Sequence, residues 1–251
     1  MKFLYLKLLF GTSIFLCQFI YSVNGILGVA ASSLLKPPGK APELILISGC
    51  TGTGKSTFGM EAAITRGILK CISTDTIRQI LRTQNSDQAL HRSSFQGTGN
   101  PVSDWKATCR VLNLGIESII DDSIRRGTSL VLEGVHLVPG NKYIDKWVAS
   151  GGAAVGVVLS IPDAETHRKV IFRRGEMTSK GAANQIDNFP RIRAIHDEMV
   201  RIGQENNWLV IEQKPNIEPR PMDLLNQKIN AVWIEGASQR MLENNNLFKT
   251  L

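Results

Sequence analysis

Eight consecutive residues, Gly49-Cys50-Thr51-Gly52-Thr53-Gly54-Lys55-Ser56, fit the spacing G-x-x-x-x-G-K-[ST] of a loop that wraps a phosphate. Glycines let the backbone turn its N–H groups toward one point, and a helix starting directly behind the loop adds its positive end. In this pattern Lys55 reaches the β- and γ-phosphates and the Ser56 hydroxyl ligates Mg2+. Gly49 to Thr57 are therefore the expected nucleotide contacts, and Mg-ATP or Mg-GTP the expected ligand, with ATP as phosphoryl donor. The bland alternative, a glycine-rich structural turn, fits less well. The apolar run Leu44-Ile45-Leu46-Ile47-Ser48 ahead of the loop reads as a buried parallel strand, and Ser56 to Arg66 behind it reads as a helix.

In a parallel α/β sheet ligands sit outside the carboxyl ends of the strands, so the polar residues that follow the other apolar runs come next. Asp75, after a second run, could deprotonate an acceptor hydroxyl beside the γ-phosphate. It could equally cap a helix over Thr76 to Arg82. Arg78 and Arg82, three and seven residues on, share a helix face with Asp75 and suit an anionic acceptor; otherwise they form a solvated charged face. Glu133 ends a third apolar run, where a carboxylate can hold Mg2+ directly or through water. His136 could touch substrate, although a single His beside a strand end is more often a hydrogen-bonded structural residue. Farther on, His167-Arg168-Lys169 and Arg173-Arg174-Gly175 form a basic stretch, which is either a solvated helix face or, by its position, the lid of a small-molecule kinase. Such a lid supplies arginines to the transferring phosphoryl group, which makes Arg173 and Arg174 catalytic candidates.

The elements that would position these residues are legible as alternation. Strand-like runs recur at Leu44 to Ser48, Lys70 to Thr74, Ser129 to Glu133, Ala154 to Ile161 and Trp208 to Glu212, separated by polar or helix-patterned sequence. This predicts a three-layer α/β fold of the phosphate-loop NTPase type, with a parallel five-stranded sheet and helices on both faces. Val111, Leu112, Gly115, Ile116, Ile119, Ile120 and Ile124 recur at helical spacing and Gly127 stands where a helix ends, so a long helix crosses one face. Leu224, Leu225, Ile229, Val232 and Trp233 mark a closing helix over Pro221 to Leu242.

The 251-residue chain is 43% hydrophobic, enough for one substantial core after its N-terminal segment is set aside. Its net charge of +7 suits an acidic ligand, here a small anionic substrate, and equally a merely basic surface. No nucleic-acid partner is expected, because the basic residues are dispersed, aromatics are only 6%, and no nucleic-acid-binding signature occurs. Residues 1–25 read as a secretory signal: Lys2 and Lys7 begin it, Leu8 to Val23 is largely apolar, and Val23-Asn24-Gly25 offers a cleavage site. Membrane contact is expected only through this leader, either before cleavage or as a retained anchor. Residues 26–42 contain no Asp or Glu, yet hold Ser32, Ser33, Lys36 and Lys40, a composition of transit peptides; the alternative is a flexible linker. A two-part leader of this kind points to a plastid reached through the secretory route. Residues 43–251 are then the phosphate-loop domain. Its Cys50, Cys71 and Cys109 make no disulfide framework and suit a reducing compartment.

Taken together, these blocks resemble the 2-phosphoglycerate kinase-like phosphate-loop proteins, known from archaeal enzymes and from larger plant relatives associated with phytic acid levels. The resemblance runs from about Glu43 to Pro215. It is carried by Gly49 to Thr57, Ser73-Thr74-Asp75 with Ile77-Arg78, Leu90-His91-Arg92-Ser93-Ser94-Phe95, Glu133-Gly134-Val135-His136, Arg173-Arg174-Gly175-Glu176-Met177-Thr178, and Asn188 to His196. It implies ATP-dependent phosphorylation of the 2-phosphoglycerate hydroxyl. It also implies that Arg78, Arg82, Arg191 or Arg193 offsets the phosphate and carboxylate of the acceptor. A kinase for another phosphorylated sugar or inositol, and a non-catalytic nucleotide-binding protein, are the other readings of the same residues. Joint presence of Asp75, Glu133 and the lid arginines favours an enzyme.

Overall fold

The computed structural model describes residues 41–177, 182–214 and 219–247. The leader, all but its last two residues, and Thr178 lie outside the described residues. Chain contacts separate Pro42–Gly236 from a second unit, Met1–Ala41 with Ala237–Leu251. Every residue singled out for chemistry lies in the first unit.

Five parallel strands form one sheet in the order β2-β3-β1-β4-β5: β1 (Glu43–Ser48), β2 (Cys71–Ser73), β3 (Leu130–Gly134), β4 (Ala153–Ser160) and β5 (Leu209–Glu212). This is the parallel five-stranded sheet predicted from alternation. β1 is central and wholly buried. Its side chains alternate in destination, as a period of two requires. Ile45 and Ile47 pack with Phe58, Ala62 and Ala63 of α1 (Lys55–Arg66) and with Leu225 and Ile229 of α9 (Pro221–Leu247). Leu44 and Leu46 pack on the opposite face with Leu112, Ile116 and Ile120 of α4 (Pro101–Arg126), Trp147 of α5 (Lys142–Ala149) and Ile195 and Met199 of α8 (Phe189–Glu205). Burial of both faces is why the strand reads as an unbroken apolar run.

Strand ends move by no more than one residue, and the larger departures from the periodicity are in two helices. The long helix starts at Pro101, ten residues ahead of its apolar stripe, because Asn100 accepts the Val102 and Ser103 N–H groups at 3.0 and 3.1 Å and Pro101 occupies the first turn. The closing helix extends to Leu247, past Leu242. The remaining helices of the described residues are α2 (Thr74–Arg82), α3 (Gln88–His91), α6 (Ala164–Met177) and α7 (Ala183–Asp187).

The register decides where a ligand can lie. Ser48 is level with Gly134 and with Val158, and Ser73 with Glu133, so β1, β2 and β3 end together at one edge of the sheet. The chain passes from β1 to the β2–β3 side and only then to β4 and β5 on the other. That reversal opens a crevice at the carboxyl end of β1, where the loop of residues 49–54 stands.

Candidate active site

The loop after β1 has the geometry of a phosphate cradle. Gly52 and Gly54 have φ of 85° and 83°, in the left-handed region where a side chain is costly. A Cβ at Gly52 would also come within 3.0 Å of Ile171 on α6. The loop is closed on itself by Thr53, whose hydroxyl donates to the Cys50 carbonyl at 2.9 Å. α1 begins at Lys55 without a side-chain cap and without an acid in its first turn. Its leading N–H groups and positive dipole end are therefore left for an anion. Cys50 takes part through its backbone only. Its thiol is buried toward the Ile192 carbonyl and Met199, and burial pushes its pKa up to about 12.

Lys55 is half-buried and its Nζ donates to the Cys50 carbonyl at 2.8 Å. Burial pulls its pKa below the ordinary lysine value, while Cys50 and the carboxylates of Glu133 and Asp75 oppose that. The two carboxylates, on β3 and α2, thus lie within electrostatic reach of the same ammonium. Ser56 donates its hydroxyl to Oε1 of Glu133 at 3.1 Å, and Glu133 is buried at the end of β3. A hydroxyl beside a carboxylate is the partial, all-oxygen donor set that suits Mg2+, which fills the rest of its shell from phosphate oxygens and water. These residues fit the ion.

Asp75 is not the cap of its helix. Ser73 is, accepting the Asp75 N–H on its hydroxyl at 3.2 Å. The carboxylate of Asp75, 66% exposed, is left facing Arg78 at 3.9 Å and His136 at 3.8 Å. The hydrogen bonds of Arg78 come from Nη1, which contacts the Arg92 carbonyl at 3.3 Å and His136 Nε2 at 3.5 Å; Nη2 faces Asp75, and the buried Nε has no partner. Since Nε2 of His136 faces a donor, its proton sits on Nδ1 and is given to the Thr74 hydroxyl at 3.1 Å. Burial pushes the His136 pKa down to about 4, so the ring is neutral near pH 7. His136 is enclosed and lies against Arg78, so its surroundings are those of the hydrogen-bonded structural residue that is the other reading of it.

Three predicted substrate-binding arginines are committed elsewhere. Arg82 donates to the Leu90 carbonyl at 2.5 Å and to Gln79 at 3.2 Å. Arg191 spends its guanidinium on the Phe95 and Gly99 carbonyls, at 2.8 and 2.9 Å, and on Asp104 at 2.6 Å, fixing the turn before α4. Arg193 binds the Ile161 carbonyl, just past β4, at 2.8 Å and Asp197 at 2.6 Å. Sequence spacing could not show this, because the partners are backbone carbonyls brought in by the fold. What it missed is Arg92: its buried Nε is unpartnered, Asp104 is 3.9 Å from its Nη2, and its own carbonyl carries Arg78. It belongs to the block Leu90 to Phe95, which was the available signal. Gln213, just past β5, was missed too; its buried Nε2 is unpartnered and its Oε1 approaches Gly54. Arg173 and Arg174 part company: Arg174 acts electrostatically on Lys55, whereas Arg173 lines an outer cavity of about 350 Å3 with Arg168, Phe172 and Ile186.

No known family profile matches the chain. Curated proteins do. A 2-phosphoglycerate kinase of Methanococcus maripaludis is 33% identical over 186 residues, which cover 67% of this chain and 59% of that protein. The protein of the same name from Methanocaldococcus jannaschii is 28% identical over 223 residues, 82% of this chain and 71% of that protein. That of Pyrococcus horikoshii is 30% identical over 185 residues, covering 69% and 60%. The chain thus spans about three-fifths of the first of these relatives. Among solved structures, a gluconokinase of Sinorhizobium meliloti overlaps with a TM-score of 0.44 at 16% identity, covering 84% of this chain and 99% of that one. A shikimate kinase of Acinetobacter baumannii does so with a TM-score of 0.44 at 12% identity, covering 86% and 98%. That overlap is too low to assign anything here. The sequence matches fall on a domain whose sheet, loop and carboxylates are arranged as above, and they make the archaeal 2-phosphoglycerate kinases relatives of this chain.

Proposed function

We propose that this protein is an ATP-dependent kinase that phosphorylates the hydroxyl of 2-phosphoglycerate or a closely similar anionic acceptor. The observation that carries the reading is the level edge of β1, β2 and β3. It brings a phosphate cradle, a hydroxyl–carboxylate pair suited to Mg2+ and a half-exposed Asp75–Arg78 pair around one lysine. The activity for which the archaeal relatives are named suggests the acceptor class.

In this reading the loop N–H groups and Lys55 hold the β- and γ-phosphates, and Gln213 offers a polar contact on the nucleotide side. Ser56 and Glu133 would hold Mg2+, which would supply charge neutralisation for the transferring phosphoryl group. Arg78, supported by His136, and Arg92 receive the charged groups of the acceptor. Asp75 accepts the proton of the acceptor hydroxyl as its oxygen bonds to the γ-phosphorus. The bond from that phosphorus to the β–γ bridging oxygen breaks and ADP leaves. Arg174 stabilises the charge shared by the transferring group. The leader of residues 1–42 is proposed to be a targeting address that takes no part in this chemistry, on the strength of its composition.

The test is a phosphoryl-transfer screen of the purified protein with ATP and Mg2+ against phosphorylated hydroxy acids, sugars and inositols. ADP formation that depends on 2-phosphoglycerate and yields a bisphosphorylated product supports the reading. Faster turnover with a sugar or inositol phosphate moves the assignment to that acceptor. Nucleotide binding with no transfer to any acceptor refutes the kinase.

A further inference from the structure

We infer that His167 is a positioning residue that fixes Arg174 of α6 against the phosphate loop; this rests on the kinase reading above. His167, Ile171 and Arg174 are four and three residues apart, so they lie on one face of α6. The first two meet different parts of the loop, and helical phase puts the third on the same side. His167 Nε2 lies 2.8 Å from the Thr51 carbonyl. Ile171 stands 3.0 Å from where a Gly52 Cβ would be. The charge of Arg174 lies within electrostatic range of Lys55. The helix is thereby laid along the loop in a single register, with the histidine as its polar fastening.

The hydrogen-bond roles at His167 follow from its neighbours. A carbonyl accepts only, so Nε2 carries the proton and donates to Thr51. Nδ1 is left as an acceptor toward Arg193 Nη1 at 3.4 Å. Arg193 is itself held by Asp197 at 2.6 Å and by the Ile161 carbonyl at 2.8 Å, and His196 accepts the Ile161 N–H at 3.0 Å. The edges of Phe189 and His196 close the ring in, at centroid distances of 5.6 and 5.4 Å. His167 is fully enclosed, so its bond to Thr51 is shielded from water and costly to leave unmade. Arg193, expected at the substrate, instead orients this imidazole. Arg173, about 100° around the helix, faces the outer cavity and is not placed by the fastening.

Glutamine reproduces the Nε2–H of His167 and leucine fills its space without a donor. The expected result is that His167→Leu lowers kcat about ten-fold or more while His167→Gln stays within about three-fold of wild type, since small misplacement of a transition-state contact is costly. The deciding measurement is a pair of double-mutant cycles, scored both on kcat and on the dissociation constant for MgATP. His167→Leu should add little to Arg174→Ala, because the first acts through the second, yet its effect should multiply with that of Arg173→Ala. Independent effects of His167→Leu and Arg174→Ala on both readouts overturn the inference. So does a leucine variant that loses only urea resistance. If the wild type transfers phosphate to no acceptor, the kinase reading fails by itself, and coupling in MgATP affinity still decides the role of His167.

Discussion

Replacing Asp75 by Asn separates chemistry from architecture at this site. The helix does not need the carboxylate, because Ser73 caps it, and Asn preserves the shape of the side chain. What stability is lost comes from two sources. One is the favourable placement of an acid in the first turn, about 0.3–1 kcal/mol. The other is an exposed i,i+3 contact with Arg78 at 3.9 Å, about 0.2–0.5 kcal/mol. Together they amount to about 1 kcal/mol, a small shift in a urea midpoint. Loss of a general base, by contrast, removes about 10²–10⁴-fold in rate, or about 3–5 kcal/mol of barrier. The assay is initial-rate ADP formation at saturating ATP and acceptor, with MgATP affinity and urea unfolding measured on the same preparations. We expect kcat to fall at least about 100-fold with MgATP affinity nearly unchanged. A kcat within about three-fold of wild type would show that Asp75 does not take the proton, whatever the stability did.

Lys55→Ala should abolish transfer and leave the fold intact, since its Nζ contributes a single loop bond to Cys50; near-normal turnover would refute the cradle. Arg191→Ala should cost about 2–4 kcal/mol in urea unfolding, through loss of three bonds and a half-buried partner in Asp104, with the acceptor KM unchanged. A raised acceptor KM without loss of stability would return Arg191 to the substrate. Burial holds His136 and His167 near a pKa of about 4, and His196 below its ordinary value, so the unfolded chain takes up their protons first. Stability should therefore be full above pH 6.5 and fall as pH drops from there toward about 4, which a series of urea midpoints would show and a flat profile would contradict. A reporter fused behind residues 1–42 should enter the secretory route, and diffuse cytosolic signal would remove the targeting proposal.

The sheet and the cradle were legible because each is local. Leu44 to Ser48 is apolar without a break since both faces of β1 are covered, and the loop glycines must take dihedrals that other residues resist. Glu133 could be placed beside Ser56 from strand ends alone, and the structure brings the two to 3.1 Å. Helix starts were less legible: Asn100-Pro101 lies ten residues ahead of the stripe that announces its helix, and Ser73 took the cap that Asp75 could have supplied. The duties of the arginines were not legible at all. A guanidinium binds whatever acceptors the fold delivers, and for Arg82, Arg191 and Arg193 these are mainly carbonyls from Leu90, Phe95, Gly99 and Ile161. Only the tertiary structure consumed those donors and left the buried Nε atoms of Arg78 and Arg92 unpartnered, which is what singles these two out for the proposed acceptor contact. The same holds for Arg173 and Arg174. They are adjacent in sequence and alike in chemistry, and are told apart only by which side of α6 lies along the phosphate loop.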